Sequence, residues 1–84
     1  MASDPQPARG MTRLELADVI GQLRDSLARE PGSWENSDLD TFLDALAAWT
    51  RDMDGWFKNR GEPLPDVPSW ELFAHMLLAA RTYE

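Results

Sequence analysis

The stretch "DLDTFLDALAAWTRDMDGWF", residues 38–57, decides the fold. Leu39, Phe42, Leu43, Leu46, Trp49, Met53, Trp56 and Phe57 recur at spacings of three and four. At 100° per residue they cover roughly 140° of a helix circumference, the apolar stripe of a helix that packs on a core. Ser37 is the expected cap, and Asp38 and Asp40 stand in the first turn, where the helix dipole favours negative charge. Gly61 is the natural stop, with Pro63 and Pro65 behind it. A helix over residues 38–60 follows.

Outward from this stretch the pattern repeats twice. Before it, Thr12 and Glu15 form a capping box, and Met11 and Leu16 stand where a hydrophobic staple would join them. Leu16, Val19, Ile20, Leu23 and Leu27 then mark one face of a helix over 13–29, ended by Pro31-Gly32. After it, Ser69 caps a third helix over 70–83. Trp70, Phe73, Met76, Leu77 and Ala80 define its expected main face, while Leu72, Ala74, Leu78 and Ala79 lie off that face. A helix apolar over so much of its girth either sits between the other two or carries an oligomer contact. Leu72 and Leu78 are the expected contacts in the second case, which gives a monomer or a weak homodimer through the third helix. No segment alternates as a strand does. Residues 1–10 carry two prolines, a glycine and no large apolar side chain beyond Met1, and read as a disordered tail. The expected architecture is all-α: one compact three-helix domain over 11–84 with an aromatic-rich core.

The bulk numbers support a small, efficient core. In 84 residues there is no cysteine, so neither disulfides nor thiolate metal sites can hold the chain. Four Trp, three Phe, one Tyr and four Met supply apolar area from few positions. Two Ser-Trp-Glu stretches, 33–35 and 69–71, each follow a proline or glycine closely and place an indole where the chain enters a helix. The economical role for Trp34 and Trp70 is to pack on the core and fix that entry angle; stacking on a ligand is the alternative for Trp34. Ser33 could cap one extra turn over 34–36.

Fifteen acids oppose eight bases, a net charge of −7. That argues against binding nucleic acid, where Lys and Arg supply most non-specific affinity, and against docking on an anionic membrane. No stretch approaches the ~20 apolar residues of a membrane span, and the first ten residues lack the apolar run of a signal peptide. The expectation is a soluble, cytoplasmic protein.

Catalytic signals are sparse. The one histidine, His75, stands a turn after Glu71 and reads as half of an exposed helix pair. "DMDGWFKNRGEP", residues 52–63, begins like a calcium loop, but glycine comes at its fourth position and proline at its twelfth. No catalytic, metal or cofactor residues are assigned. Pro65-Asp66-Val67-Pro68 has the spacing of a polyproline ligand and reads more economically as a stiff connector.

Trp34-Glu35-Asn36, Asp52-Met53-Asp54-Gly55, Pro68-Ser69-Trp70 and the terminal Tyr83-Glu84, in that order, resemble a family of very small bacterial proteins classed as a domain of unknown function. The resemblance covers residues 33–84 and implies a standalone domain, with no reaction, cofactor or partner attached to it.

From Glu35 to Asp54 the acids Glu35, Asp38, Asp40, Asp44, Asp52 and Asp54 face a single base, Arg51. Asp40, Asp44 and Asp54 fall on the outer face of the second helix, with Asp52 nearer its edge. Such clustering suits a surface that steers a basic partner, with Trp34 or Trp56 as its aromatic anchor. The expected class is therefore a non-catalytic protein-interaction module, with Trp34, Asp40, Asp44, Asp52, Asp54 and Trp56 as candidate partner-binding residues. An immunity or antitoxin-like protein neutralising a basic toxin is the sharper alternative; a small enzyme or ligand-binding protein is the second.

Overall fold

A computed structural model describes residues 7–84 and shows three helices, with no strand among the described residues. Most of the expected tail, residues 1–6, lies outside that range; Arg9 and Gly10 form a turn that leads into the first helix.

Helix α1 spans Arg13–Arg29. The Thr12 hydroxyl accepts from the Glu15 amide at 3.2 Å, and the Glu15 carboxylate accepts from the Thr12 amide at 3.0 Å, closing the capping box. Met11 packs beside Leu16 against the core. A single 3-10 turn, Pro31–Ser33, follows. The extra turn therefore comes before Trp34 rather than over 34–36, because Pro31 supplies the fixed φ that starts it.

Helix α2 spans Leu39–Asn59. Its cap is Asp38, not Ser37: the carboxylate accepts from the Thr41 amide at 2.8 Å. At the other end Gly61 takes φ +70°, its amide donates to Lys58 O, and the Glu62 amide reaches back to Phe57 O. These two bonds are the Schellman closure, and the positive φ is why glycine stands there.

Helix α3 spans Trp70–Ala80, capped by the Ser69 hydroxyl on the Leu72 amide at 3.0 Å. It ends at Ala80 rather than near residue 83, because Asn36 captures its last turn. The Asn36 side-chain amide donates to Ala80 O and Tyr83 O at 3.0 and 2.9 Å, and its backbone amide donates to Arg81 O at 2.9 Å. Carbonyls that a helix end leaves without partners are thus taken by the loop before α2. The start of α2 and the end of α3 are tied together, and the two helices run antiparallel.

Helix α3 packs on both α1 and α2, while the backbones of α1 and α2 do not approach each other. The third helix therefore sits between the other two. On the α1 side Leu16, Val19, Leu23 and Trp34 close on Ala74; on the α2 side Ala45, Trp49, Phe57, Leu72 and Ala80 are buried. This rotates the face of α3 away from the expected one. Leu72 and Ala74, expected off the main face, are buried, whereas Trp70 and Phe73 keep 48% and 41% of their surface; Ala80 is buried as expected. Two-sided packing selects small residues where backbones come close and turns the bulky middle stripe outward. Trp70 thus does not pack on the core as Trp34 does. Leu72 is buried within the chain and Leu78 packs against the core, so neither is among the exposed large apolar residues of α3.

Trp49→Ala removes a large side chain that is 5% exposed. It should destabilise the domain by about 3–5 kcal/mol, the range for deleting a buried large aromatic. Trp70→Ala, at the surface, should shift stability by no more than about 0.5 kcal/mol. Urea unfolding followed by circular dichroism reads both.

Candidate functional site

Three surface regions collect side chains able to bind something: two lie at opposite ends of α2, and the third is an apolar cleft of about 470 Å³ beside Trp70, Phe73 and Met76 on α3.

The first is the mouth between α1 and the start of α2. Because the two backbones stay apart, an apolar trough of about 330 Å³ opens over α3. Leu77 of α3 lies at its floor, with Trp34 and Phe42 stacked at 5.8 Å between ring centres. The Trp34 indole N–H donates to the Ser26 hydroxyl at 3.1 Å, so this side chain is anchored into the fold and is only 8% exposed. Ile20 forms one wall and Leu39 the other. Ile20 is 47% exposed and Leu39 72%; Leu43, one turn further along α2, is 52% exposed. Asp38 stands at the same mouth, and hydrogen bonds from Thr41 hold its carboxyl below the usual carboxylate range. Asp40 and Asp44 are exposed immediately beside Leu39 and Leu43.

The second region surrounds Trp56. Its ring meets Phe57 edge-on at 4.9 Å and Trp49 at 5.6 Å, carries the Arg60 guanidinium 4.3 Å above its centre, and touches the His75 ring at 5.0 Å. Arg60 also pairs with Glu62 at 3.6 Å. His75 is therefore not the exposed partner its sequence position suggests. It pairs with Glu71 at 3.8 Å but leans onto Trp56, because the two antiparallel helices bring residue 56 opposite residue 75. Burial lowers its pKa below the ordinary histidine value, Arg60 adds to the lowering, and the Glu71 and Glu62 carboxylates oppose it. A shallow cleft of about 250 Å³ opens here, with two carboxylates and cations already paired along it.

Asp52 lies on the far side of Trp56. It accepts a hydrogen bond from the Tyr83 hydroxyl, which raises the tyrosine pKa. Asp52 and Trp56 share a cleft with Tyr83 and Trp49, while Asp40, Asp44 and Asp54 remain on the outer surface and Trp34 belongs to the other end. The six residues singled out in the sequence therefore do not form one patch. The exposed Leu39, Leu43 and Ile20 were legible as apolar but not as uncovered, since each sits on a stripe that helical spacing assigns to the core. Among the described residues no three His, Asp or Glu side chains gather as a metal would need.

Four of the motif residues have structural roles. Trp34 closes the core, Asn36 binds the carbonyls of Ala80 and Tyr83, Asp52 receives the Tyr83 hydroxyl, and Ser69 caps α3. A family model described as a family of unknown function (DUF7660) matches residues 12–84. The chain belongs to that family. No curated protein and no solved structure matches it. The match starts at Thr12, the cap of α1, and takes in every helix of the domain.

Asn36→Ala removes two side-chain bonds that tie the α2 entrance to the end of α3. A loss of about 1–3 kcal/mol follows if the carbonyls are left unpaired; hydrogen exchange at Thr82 and Tyr83 should accelerate with it. His75 gives the pH dependence. Its native pKa lies below the unfolded value, so the native state binds fewer protons and the contribution is present above about pH 6.5. Stability should fall as pH drops through that value and on through the native pKa, and His75→Gln should remove this component. Urea midpoints at pH 7.5 and 5.5, with an NMR titration of the imidazole, measure it.

Proposed function

We propose that this chain is a non-catalytic protein-interaction module of the cytoplasm that receives a basic partner. The observation that carries the reading is the alternation at the start of α2. Leu39 and Leu43 stand exposed between Asp38, Asp40 and Asp44, and no base occurs from Glu35 to Thr50. Exposed large apolar side chains rimmed by one sign of charge are what a specific interface requires. The apolar centre provides affinity, and the charged rim sets association rate and rejects like-charged competitors. Asp54, further along the same helix, extends the charge; Arg51 and Lys58 interrupt it there, so the steering surface is strongest in the first two turns. His75 supports the non-catalytic reading, being engaged with Glu71 and Trp56, while the Ser69 hydroxyl in the same cleft is taken up in capping α3. Neutralisation of a basic toxin is the narrower form of the same reading and draws on the same rim.

The test begins with a partner recovered by affinity capture from the native host and then purified. Asp40→Lys with Asp44→Lys changes exposed residues and should leave the circular dichroism spectrum and melting curve in place. Association with the partner should slow by about tenfold at low salt, and its dependence on ionic strength should flatten. Stopped-flow mixing across a salt series measures both. Unchanged association by the folded double variant removes the acidic face from the interface.

A further inference from the structure

We propose that the part of the partner seated in the trough between α1 and α2 is a basic amphipathic helix, which completes a four-helix arrangement around Leu77. This rests on the interaction-module reading and narrows it to one surface and one kind of ligand.

The argument starts from what two helices ordinarily do when a third lies between them. In a closed three-helix bundle each pair shares a seam. Here the α1–α2 seam is missing, and Ile20, Leu39 and Leu43 are left at 47%, 72% and 52% exposure along its two sides. The residues beneath are half-buried or better, and Trp34 is held by Ser26 and by its stack on Phe42. The floor is therefore fixed before any ligand arrives. An open, apolar, pre-formed seam between two helices is filled most completely by one face of another helix, through side chains at i, i+3, i+4 and i+7.

Charge selects the kind of helix. The α2 wall carries Asp38, with Asp40 and Asp44 beyond it on the outer side of that helix and no base from Glu35 to Thr50, whereas the α1 wall carries Arg24. A seated helix thus meets carboxylates along one flank and a guanidinium on the other. Lys or Arg beside its apolar stripe on the α2 side, with an acid opposite Arg24, satisfies both and fixes its direction. A second copy of this chain would bring the same acidic rim against itself at −7 per molecule, which like-charge repulsion opposes. The other exposed aromatic pair, Trp70 and Phe73, lies on α3 and its entry alone, beside Pro68, Ser69 and Met76, and no second helix forms an opposite wall there.

The experiment uses the 15N-labelled full chain and a synthetic helix of about 18 residues, roughly five turns. The peptide carries a leucine stripe flanked by lysines; one control scrambles the order and another replaces lysine by glutamate. Saturable shifts at the amides of Ile20, Leu39, Leu43 and Leu77 are expected, weakening with salt. Leu39→Asp with Leu43→Asp, both at exposed positions, should keep the fold and bind about tenfold more weakly. The scrambled and glutamate peptides should give no saturable shift. The proposal is overturned by absent saturation, by equal binding of the scrambled peptide, or by shifts confined to Trp70 and Phe73. Shifts at the trough on concentrating the chain alone would assign it to a second copy instead, with the same consequence. The captured partner separates the two readings: if the Asp40/Asp44 variant slows it but the Leu39/Leu43 variant does not, the module reading stands and the helix in the trough falls.

Discussion

Helix α3 is gripped from two sides. Ala74 packs in one cluster with Leu16, Val19 and Leu23 of α1, Ala80 lies at the end of α3, and both are without accessible surface; a single methyl group lets backbones come close at such positions. Everything else in the molecule adjusts to that sandwich. With α3 as the middle layer, α1 and α2 have no need to meet, and the apolar residues between them have no cover. A larger side chain at residue 74 or 80 would push a flanking helix outward, and overpacking of that kind costs roughly 1–3 kcal/mol.

The loop between α1 and α2 holds the arrangement in register. Trp34 plugs the α1 side while its N–H is satisfied by Ser26; two residues later Asn36 takes the carbonyls at the end of α3. One short segment therefore links all three helices, which is economical for a chain without disulfides. Tyr83 adds a second tie by donating to Asp52 in the middle of α2. The C-terminal residues are in this way structural members of the domain. The same ties border the trough, whose floor residues are neighbours of Trp34 and of the α2 entrance.

The acidic residues divide by position into two jobs. Asp38 caps α2 and Asp52 holds Tyr83, so each has a local structural role. Asp40, Asp44 and Asp54 have exposed surface on the outer side of α2 and line no such contact. Like charges on one face work slightly against compactness. At the other end of α2, by contrast, Trp56, Arg60, His75 and their carboxylates satisfy one another, and burial there lowers the His75 pKa.

The sequence by itself determined the local events. The Thr12–Glu15 capping box, the stop at Gly61 and the cap at Ser69 each depend on a few adjacent residues, and each appears in the structure. Three helices and the buried Trp49 and Phe57 follow from spacing alone, because period 3.6 puts them on one stripe. What only the tertiary structure decided is which part of each stripe finds a neighbour. Periodicity marks Leu39, Leu43 and Ile20 as apolar but carries no information on whether another helix covers them. It marks Trp70 and Phe73 as the core of α3, yet the two-sided grip buries Leu72 and Ala74 in their place, beside the expected Ala80. Asn36 and Tyr83, and likewise Trp56 and His75, are far apart along the chain, so their contacts depend on the antiparallel pairing of α2 and α3 and on nothing local to either residue.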